Sequence, residues 1–172
     1  MVGPESVVAV DRVVIRPSTH ADAEAASRCH LTCWRETYRG MMADAALDRV
    51  TADLDARVAR WHWQIDRGDT QLIAAAGGDV VGLATTIPAR DDDIDLAVEL
   101  AAIYTRRAWW GTGLGNRLIV AALGDGDAYL WVLEANHRAQ AFYAKHAFRP
   151  DGTVKELADY QATEIRMVRR RS

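Results

Sequence analysis

The stretch ELAAIYTRRAWWGTGLGNRL, residues 99–118, decides the fold. Glu99 to Thr105 reads as a strand. It runs through Arg106-Arg107-Ala108 into the glycine-rich Trp110-Gly111-Thr112-Gly113-Leu114-Gly115. A helix follows, with Leu114, Leu118, Ala121 and Ala122 on one face, until Gly124-Asp125-Gly126 stops it. A strand that turns through glycines into a helix gathers unpaired backbone N–H groups at the positive end of the helix dipole. Such a bend suits a phosphate. Glycine is needed there because a side chain would hold the anion off the amides, and because some of these positions need positive φ. A P-loop requires Lys-Ser/Thr after its last glycine, whereas Gly115 is followed by Asn116-Arg117. A dinucleotide fingerprint requires Gly-x-Gly-x-x-Gly on the first strand-helix turn; here the third glycine arrives one residue early and the bend lies late in the chain.

Working outward, Gln71 to Ala76 and Val80 to Ile87 flank Gly77-Gly78-Asp79, a hairpin signal. The β-branched run Val13, Val14, Ile15 stops at Arg16-Pro17, as a first or edge strand does. Thr19 then reads as an N-cap with Asp22 three residues on, and Ala26, Cys29, His30, Cys33, Trp34, Thr37 and Tyr38 recur at helical spacing before Gly40. A second helical region runs from about Ala43 to Arg67, broken near Thr51 and stopped at Gly68-Asp69, with Trp61 and Trp63 as helix-packing residues. Asp91, Asp92, Asp93 and Asp95 read as a solvated loop, the alternative being an attractor for a cationic substrate. Ala128 to Leu133 is an unbroken apolar run, the pattern of a strand buried on both faces in parallel pairing. Asn136 caps a helix reaching Lys145, Phe148-Arg149-Pro150 and Thr163 to Val168 supply the last two strands, and Arg169-Arg170-Arg171 reads as a frayed tail.

The 172 residues are 49% hydrophobic and 26% charged, which suits one domain spanning 1–172 with flexible tails at 1–10 and 169–172. A net charge of −3 excludes general nucleic-acid binding through phosphate neutralisation. Neither a basic leader with an apolar core nor a run near the ~20 apolar residues of a membrane span is present, so a cytoplasmic protein without membrane attachment is expected. Cys29 and Cys33 lie four apart in a helical pattern; with only His30 nearby this is poor metal spacing, and both read as core thiols with no metal site.

The chain resembles the GNAT-type N-acetyltransferase superfamily, in residues 99–118, in LWVLEANHRAQAFYAKHAF at 130–148, in its Val-Ile-Arg-Pro start, in Trp34-Arg35-Glu36-Thr37-Tyr38-Arg39-Gly40 and in Glu164-Ile165-Arg166-Met167. The resemblance implies an α+β fold: a mixed, mostly antiparallel twisted sheet of six to seven strands with a splayed parallel central pair and helices on both faces. It implies transfer of an acetyl group from acetyl-CoA, as cosubstrate, to a primary amine of a small molecule or peptide, directly and with no cysteine nucleophile. The alternative is a non-catalytic acyl-CoA-binding or sensing module. Relatives commonly form homodimers.

Carried over by residue, the backbone of Ile103, Tyr104 and Thr105 would hold the pantetheine arm. Amides of Trp110, Gly111, Thr112, Gly113, Leu114, Gly115 and Asn116 would hold the pyrophosphate. Asn136, Ala139 and Phe142 would complete the cofactor site, with Asn136 also a plain N-cap. Tyr143 reads either as a core aromatic or as the acid that protonates the leaving sulfur. An acceptor amine of pKa ~10.4 is neutral in only about one molecule in 2500 at pH 7, a deficit of roughly 4.6 kcal/mol that a base would relieve. Glu99 is the candidate, sharing a face with Ala101, Ile103 and Thr105 by alternation, or else an exposed strand-end acid. Trp34, Tyr38, Met41 and Met42 are the acceptor-site candidates. Three departures stand out: Trp110 occupies the place of a phosphate-binding Arg or Gln, with Arg106 or Arg107 to compensate; Arg107 replaces a frequent Pro; and Ala147 replaces a Gly. An alanine in a left-handed cap costs roughly 1 to 2 kcal/mol, so an altered helix exit is expected there.

Overall fold

The computed structural model describes residue 10 and residues 12–171. In chain order the elements are β1 (Val14–Pro17), α1 (Ala23–Tyr38), α2 (Asp44–Val50), α3 (Leu54–Arg67), β2 (Thr70–Ala76), β3 (Asp79–Pro88), β4 (Val98–Thr105), α4 (Leu114–Leu123), β5 (Ala128–Leu133), α5 (His137–Lys145), β6 (Arg149–Leu157) and β7 (Ala162–Arg169). The seven strands form one sheet in the order β1-β2-β3-β4-β5-β7-β6. All neighbours are antiparallel except β4 and β5, which are parallel and share a single paired position, Glu99 with Tyr129. The mixed α+β architecture with a splayed central pair is therefore the one the sequence implied.

Alternation along the strands sends side chains to opposite faces. In β2, Ile73 joins Cys29, Cys33 and Trp61 beneath α1 and α3, while Leu72 and Ala74 join Leu114 and Leu118 of α4 on the other face. Both cysteines are buried, with sulfurs 3.9 Å apart. A third cluster, with Leu130, Val132, Phe148 and Met167, joins β5 and β7 to α5 through Tyr143. Trp61 packs as expected but Trp63 does not: it is exposed, with the Arg67 guanidinium 4.2 Å from its ring centroid.

Strict alternation fails in β4. The β3 register steps from Thr86–Leu100 to Thr85–Ala102, leaving Ala101 without an opposite residue. Such a bulge exchanges the faces beyond it. Val98, Leu100 and Ile103 consequently share one core cluster, with Ala102 and Tyr104 in the opposite one. The expected grouping of Glu99 with Ala101, Ile103 and Thr105 is thus corrected.

Three other expectations change. Arg169 is no tail: it ends β7 fully buried, its guanidinium on the Gly126 carbonyl and 5.2 Å from the Phe148 ring centroid. At the other end, Val10 is buried and its carbonyl accepts from Arg117, while residues 1–9 lie outside the described residues. The acidic loop is not simply solvated, because buried Arg166 holds Asp91 at 3.0 Å, Asp93 at 2.6 Å and Asp151 of β6 at 2.7 Å. Finally, α5 leaves through the ordinary left-handed cap despite its alanine: Ala147 has φ +67°, and the Phe148 amide donates to the Tyr143 carbonyl at 3.1 Å. Burial of Phe148 holds the alanine in that conformation. Ala147→Gly removes roughly 1 to 2 kcal/mol of strain and restores up to about 1 kcal/mol of unfolded-chain entropy. The expected outcome is a rise in melting temperature of about 1 to 3 °C by calorimetry.

Candidate active site

Beyond the Glu99–Tyr129 pair, β4 and β5 part, and the gap between them opens into two cavities that share Ile103 and Tyr104 as a wall. The first, about 490 Å³, runs past Thr105, Trp110, Gly113 and Asn116 to Phe142 on α5. Here the amides of Gly111, Gly113, Gly115 and Asn116 have no partner among the described residues. The Leu114 amide reaches only the Thr112 hydroxyl, at 3.4 Å. Gly113 is the residue before α4 and has φ +95°; a Cβ there would meet open space, so glycine is required by backbone conformation. At Gly115 the reason is packing, because a Cβ would lie 3.2 Å from the Phe142 ring.

The other predicted residues of this wall fall around it. Trp110 donates its indole N–H to the Thr105 carbonyl at 3.0 Å, so that carbonyl is already satisfied. Asn136 is buried and accepts from the Ala139 amide at 3.1 Å, the N-cap geometry. Both arginines expected to compensate for Trp110 are engaged by Glu36, although the Arg107 guanidinium also lies 5.3 Å from the Trp110 ring centroid. The Arg106 side chain and the Arg107 amide bind the Glu36 carboxylate at 3.0 and 2.7 Å, and the Arg107 side chain takes the Glu36 carbonyl. The cations that do line the cavity are Arg138 and Lys145, and the Arg138 guanidinium lies 3.6 Å from the Trp110 ring centroid. Sequence reasoning missed both, although Arg138, Ala141, Phe142 and Lys145 recur at i, i+3, i+4, i+7 on one helical face.

The second cavity, about 270 Å³, is lined by Trp34, Tyr38, Met42, Glu99, Asn136 and Tyr143. Met42 lines it and Met41 does not. The hydroxyls of Tyr38 and Tyr104 are 2.8 Å apart. Burial pushes Tyr38 up to about 12 and Tyr104 well above the usual phenol range. Burial, then the proximity of Tyr38, raises Tyr143 against an opposing pull from Arg138. Glu99 is buried, not an exposed strand end. Its oxygens accept from Arg90 at 2.5 and 2.9 Å and from the Tyr129 hydroxyl at 2.9 Å, two partners no sequence signal marked. The Tyr129 oxygen also accepts from the Arg90 and Asp91 amides, at 2.8 and 3.0 Å. One strand pair, one carboxylate and one loop are thereby locked at the fork.

A cleft at splayed parallel strands, with free amides at one end and a buried tyrosine midway, can be compared with known proteins. Residues 31–148 match the family model of the acetyltransferase (GNAT) family. The chain belongs to that family. An uncharacterised N-acetyltransferase of Mycobacterium tuberculosis is 39% identical over 105 residues, covering 57% of this chain and 65% of its own length. The chain thus spans just under two thirds of the curated relatives it matches. Among solved structures, the PaiA N-acetyltransferase of Thermoplasma acidophilum, in complex with coenzyme A, superposes with a TM-score of 0.68 at 17% identity, covering 90% of this chain and 97% of that one. YncA of Salmonella typhimurium, solved with acetyl-CoA, gives 0.66 at 22% identity over 91% and 92%. At those identities the GNAT fold is what is shared. Among the described residues no group of three or more metal-ligating side chains occurs, and no helix is long and apolar enough to cross a membrane.

The three raised phenols at this GNAT cleft have a measurable consequence. Each favours the folded state below about pH 10, the unfolded phenol value, and that contribution is lost as pH rises toward the folded values. In a spectrophotometric titration, Tyr38, Tyr104 and Tyr143 are expected to stay protonated at about pH 11 in the folded protein. Denaturation at that pH should release their ionisation as a rise in phenolate absorbance.

Proposed function

We propose that this GNAT protein is an acetyl-CoA-dependent N-acetyltransferase acting by direct transfer to a primary amine. The observation that carries the reading is the pair of cavities meeting at the β4–β5 fork, with Tyr143 lining the smaller one and free amides lining the larger. The residues fit the carrier on physical grounds. Amides without acceptors, beside Arg138 and Lys145, form a donor-only surface that matches a diphosphate. The PaiA and YncA structures, solved with coenzyme A and with acetyl-CoA, support the same assignment.

When bound, acetyl-CoA supplies an acetyl group activated as a thioester. The amides of Gly111, Gly113, Leu114, Gly115 and Asn116 would hold its diphosphate, those of Trp110 and Thr112 being taken by the Arg107 and Trp109 carbonyls, and the backbone of Ile103, unpaired on the β5 side, would hold the pantetheine arm. Phe142 keeps α5 against the first turn of α4, fixing the distance between the anion site and Tyr143. Tyr143, protonated throughout the neutral range because burial raises it, would donate its hydroxyl proton to the sulfur as the C–S bond breaks and recover one from the acetylated nitrogen, which sheds its second proton as the amide forms. Glu99 would accept the proton of the incoming ammonium through water on Oε1, which carries one Arg90 bond alone, while Oε2 takes both Arg90 and Tyr129. Trp34, Tyr38 and Met42 seat the acceptor.

Thiol release from acetyl-CoA against a panel of amines tests the reading. Tyr143→Phe is expected to lower kcat by about 10² or more and to leave thermal stabilisation by coenzyme A intact. Unchanged turnover in that variant at saturating substrate removes Tyr143 from the chemistry. Gly113→Leu forces a side chain onto a left-handed backbone and is expected to abolish the coenzyme A thermal shift, whatever the acceptor. A wild-type protein stabilised by coenzyme A yet unable to acetylate any amine would be a binding module.

A further inference from the structure

The acceptor cavity is electrically balanced. Its charges form two ion pairs, Arg90 with Glu99 and Lys155 with Glu164. Behind Trp34 the balance ends. A smaller cavity of about 150 Å³ between α1, α3 and the sheet shares Trp34, Arg90, Ala102 and Tyr104 with the acceptor cavity. It continues past His30, Arg57 and Arg60 into a groove that also takes in Arg49. Arg57 is half-buried, yet among the described residues neither it nor Arg60 has a carboxylate within salt-bridge distance. Asp53, the acid on the groove, caps the Ala56 amide at 2.8 Å and pairs with neither arginine.

The charged side chains lining the smaller cavity, Arg57, Arg60 and Arg90, are all cations, and Gln64 and Thr85 are its uncharged polar neighbours. The Arg57 guanidinium finds only the Nδ1 of buried His30, at 3.3 Å. His30 is held neutral by burial first and then by Arg57, so an imidazole that accepts at Nδ1 carries its proton on Nε2. The indole N–H of Trp34, on the wall common to all three spaces, is fully buried and has no acceptor. A partly desolvated cation, as Arg57 is, beside a buried unpaired donor is costly unless an acceptor of opposite charge joins them, and Arg60 adds a second cation at the exposed mouth. We infer that the acceptor is an amine carrying an anionic group, carboxylate or phosphate, which docks against Arg57 and Arg60 beside Trp34 while its amine enters the cavity at Tyr143. This rests on the transferase reading for the amine end alone; the anion site stands on its own geometry.

Two measurements test it. Acetylation is compared within pairs differing by one anionic group: lysine against cadaverine, tyrosine against tyramine, histidine against histamine, and phosphoethanolamine against ethanolamine. The anionic member of at least one pair is expected to have the higher kcat/KM by about tenfold or more, the phosphate pair distinguishing phosphate from carboxylate. In Arg57→Gln/Arg60→Gln that ratio is expected to fall at least about tenfold, through KM rather than kcat. Preference for the members lacking the anionic group, or a ratio unchanged in the variant, overturns the inference. Separately, with coenzyme A saturating so that the glycine bend is filled, inorganic phosphate is expected to stabilise the wild type further and to lose that effect in the double variant. Phosphate stabilisation without turnover would retain the anion site and refute the transferase reading. If phosphate gives no shift, or an equal shift in both proteins, the anion site is refuted; Arg60→Gln alone repeats the comparison at an exposed position should the double variant not fold.

Discussion

The structure depends on how little β4 and β5 pair. Parallel strands bond evenly along their length when nothing interferes; here only Glu99 and Tyr129 meet. The contact is reinforced sideways, by the Tyr129 hydroxyl on the Glu99 carboxylate and by Arg90 on the same oxygens. Past it, the bulge at Ala101 turns β4 away from the regular register, leaving backbone groups on the β5 side free. A closed sheet would bury those groups; a splayed one offers them to a ligand.

Around that fork the molecule separates donors from acceptors. The bend before α4 and the space behind Trp34 both present N–H groups without acceptors. The acids that could have satisfied nearby cations are committed elsewhere: Glu36 to Arg106 and Arg107, Asp91 and Asp93 to Arg166. The Arg166 cluster is itself structural, since it fastens the β3–β4 loop to β6 and β7 and so fixes where Arg90 stands.

Family membership identifies the carrier end of such a cleft more firmly than the acceptor end. On the proposed reading the glycine bend answers to a diphosphate, whose geometry does not vary between acceptors. On the same reading Trp34, Tyr38, Met42 and the arginines behind them answer to whatever brings the amine, and their side chains carry the record of it.

By itself the sequence determined the elements and their order: periodicity, the Gly77-Gly78-Asp79 turn, the Asn136 cap and the glycine bend are local signals, each written within a few residues. The resemblance carried by residues 99–118 and 130–148 implied that Asn136, Phe142, Tyr143 and the bend form one neighbourhood. Only the tertiary structure decided which face Glu99 takes, since a bulge is a property of two paired strands and not of one. It likewise decided that Arg169 is buried, that Met42 rather than Met41 reaches the cleft, that Arg138 lies over Trp110 and lines the cavity there, and that Arg57 has no acid partner among the described residues. Whether a charge finds its counterion depends on groups distant along the chain, as Arg166 and Asp91 are, and no local pattern encodes that distance.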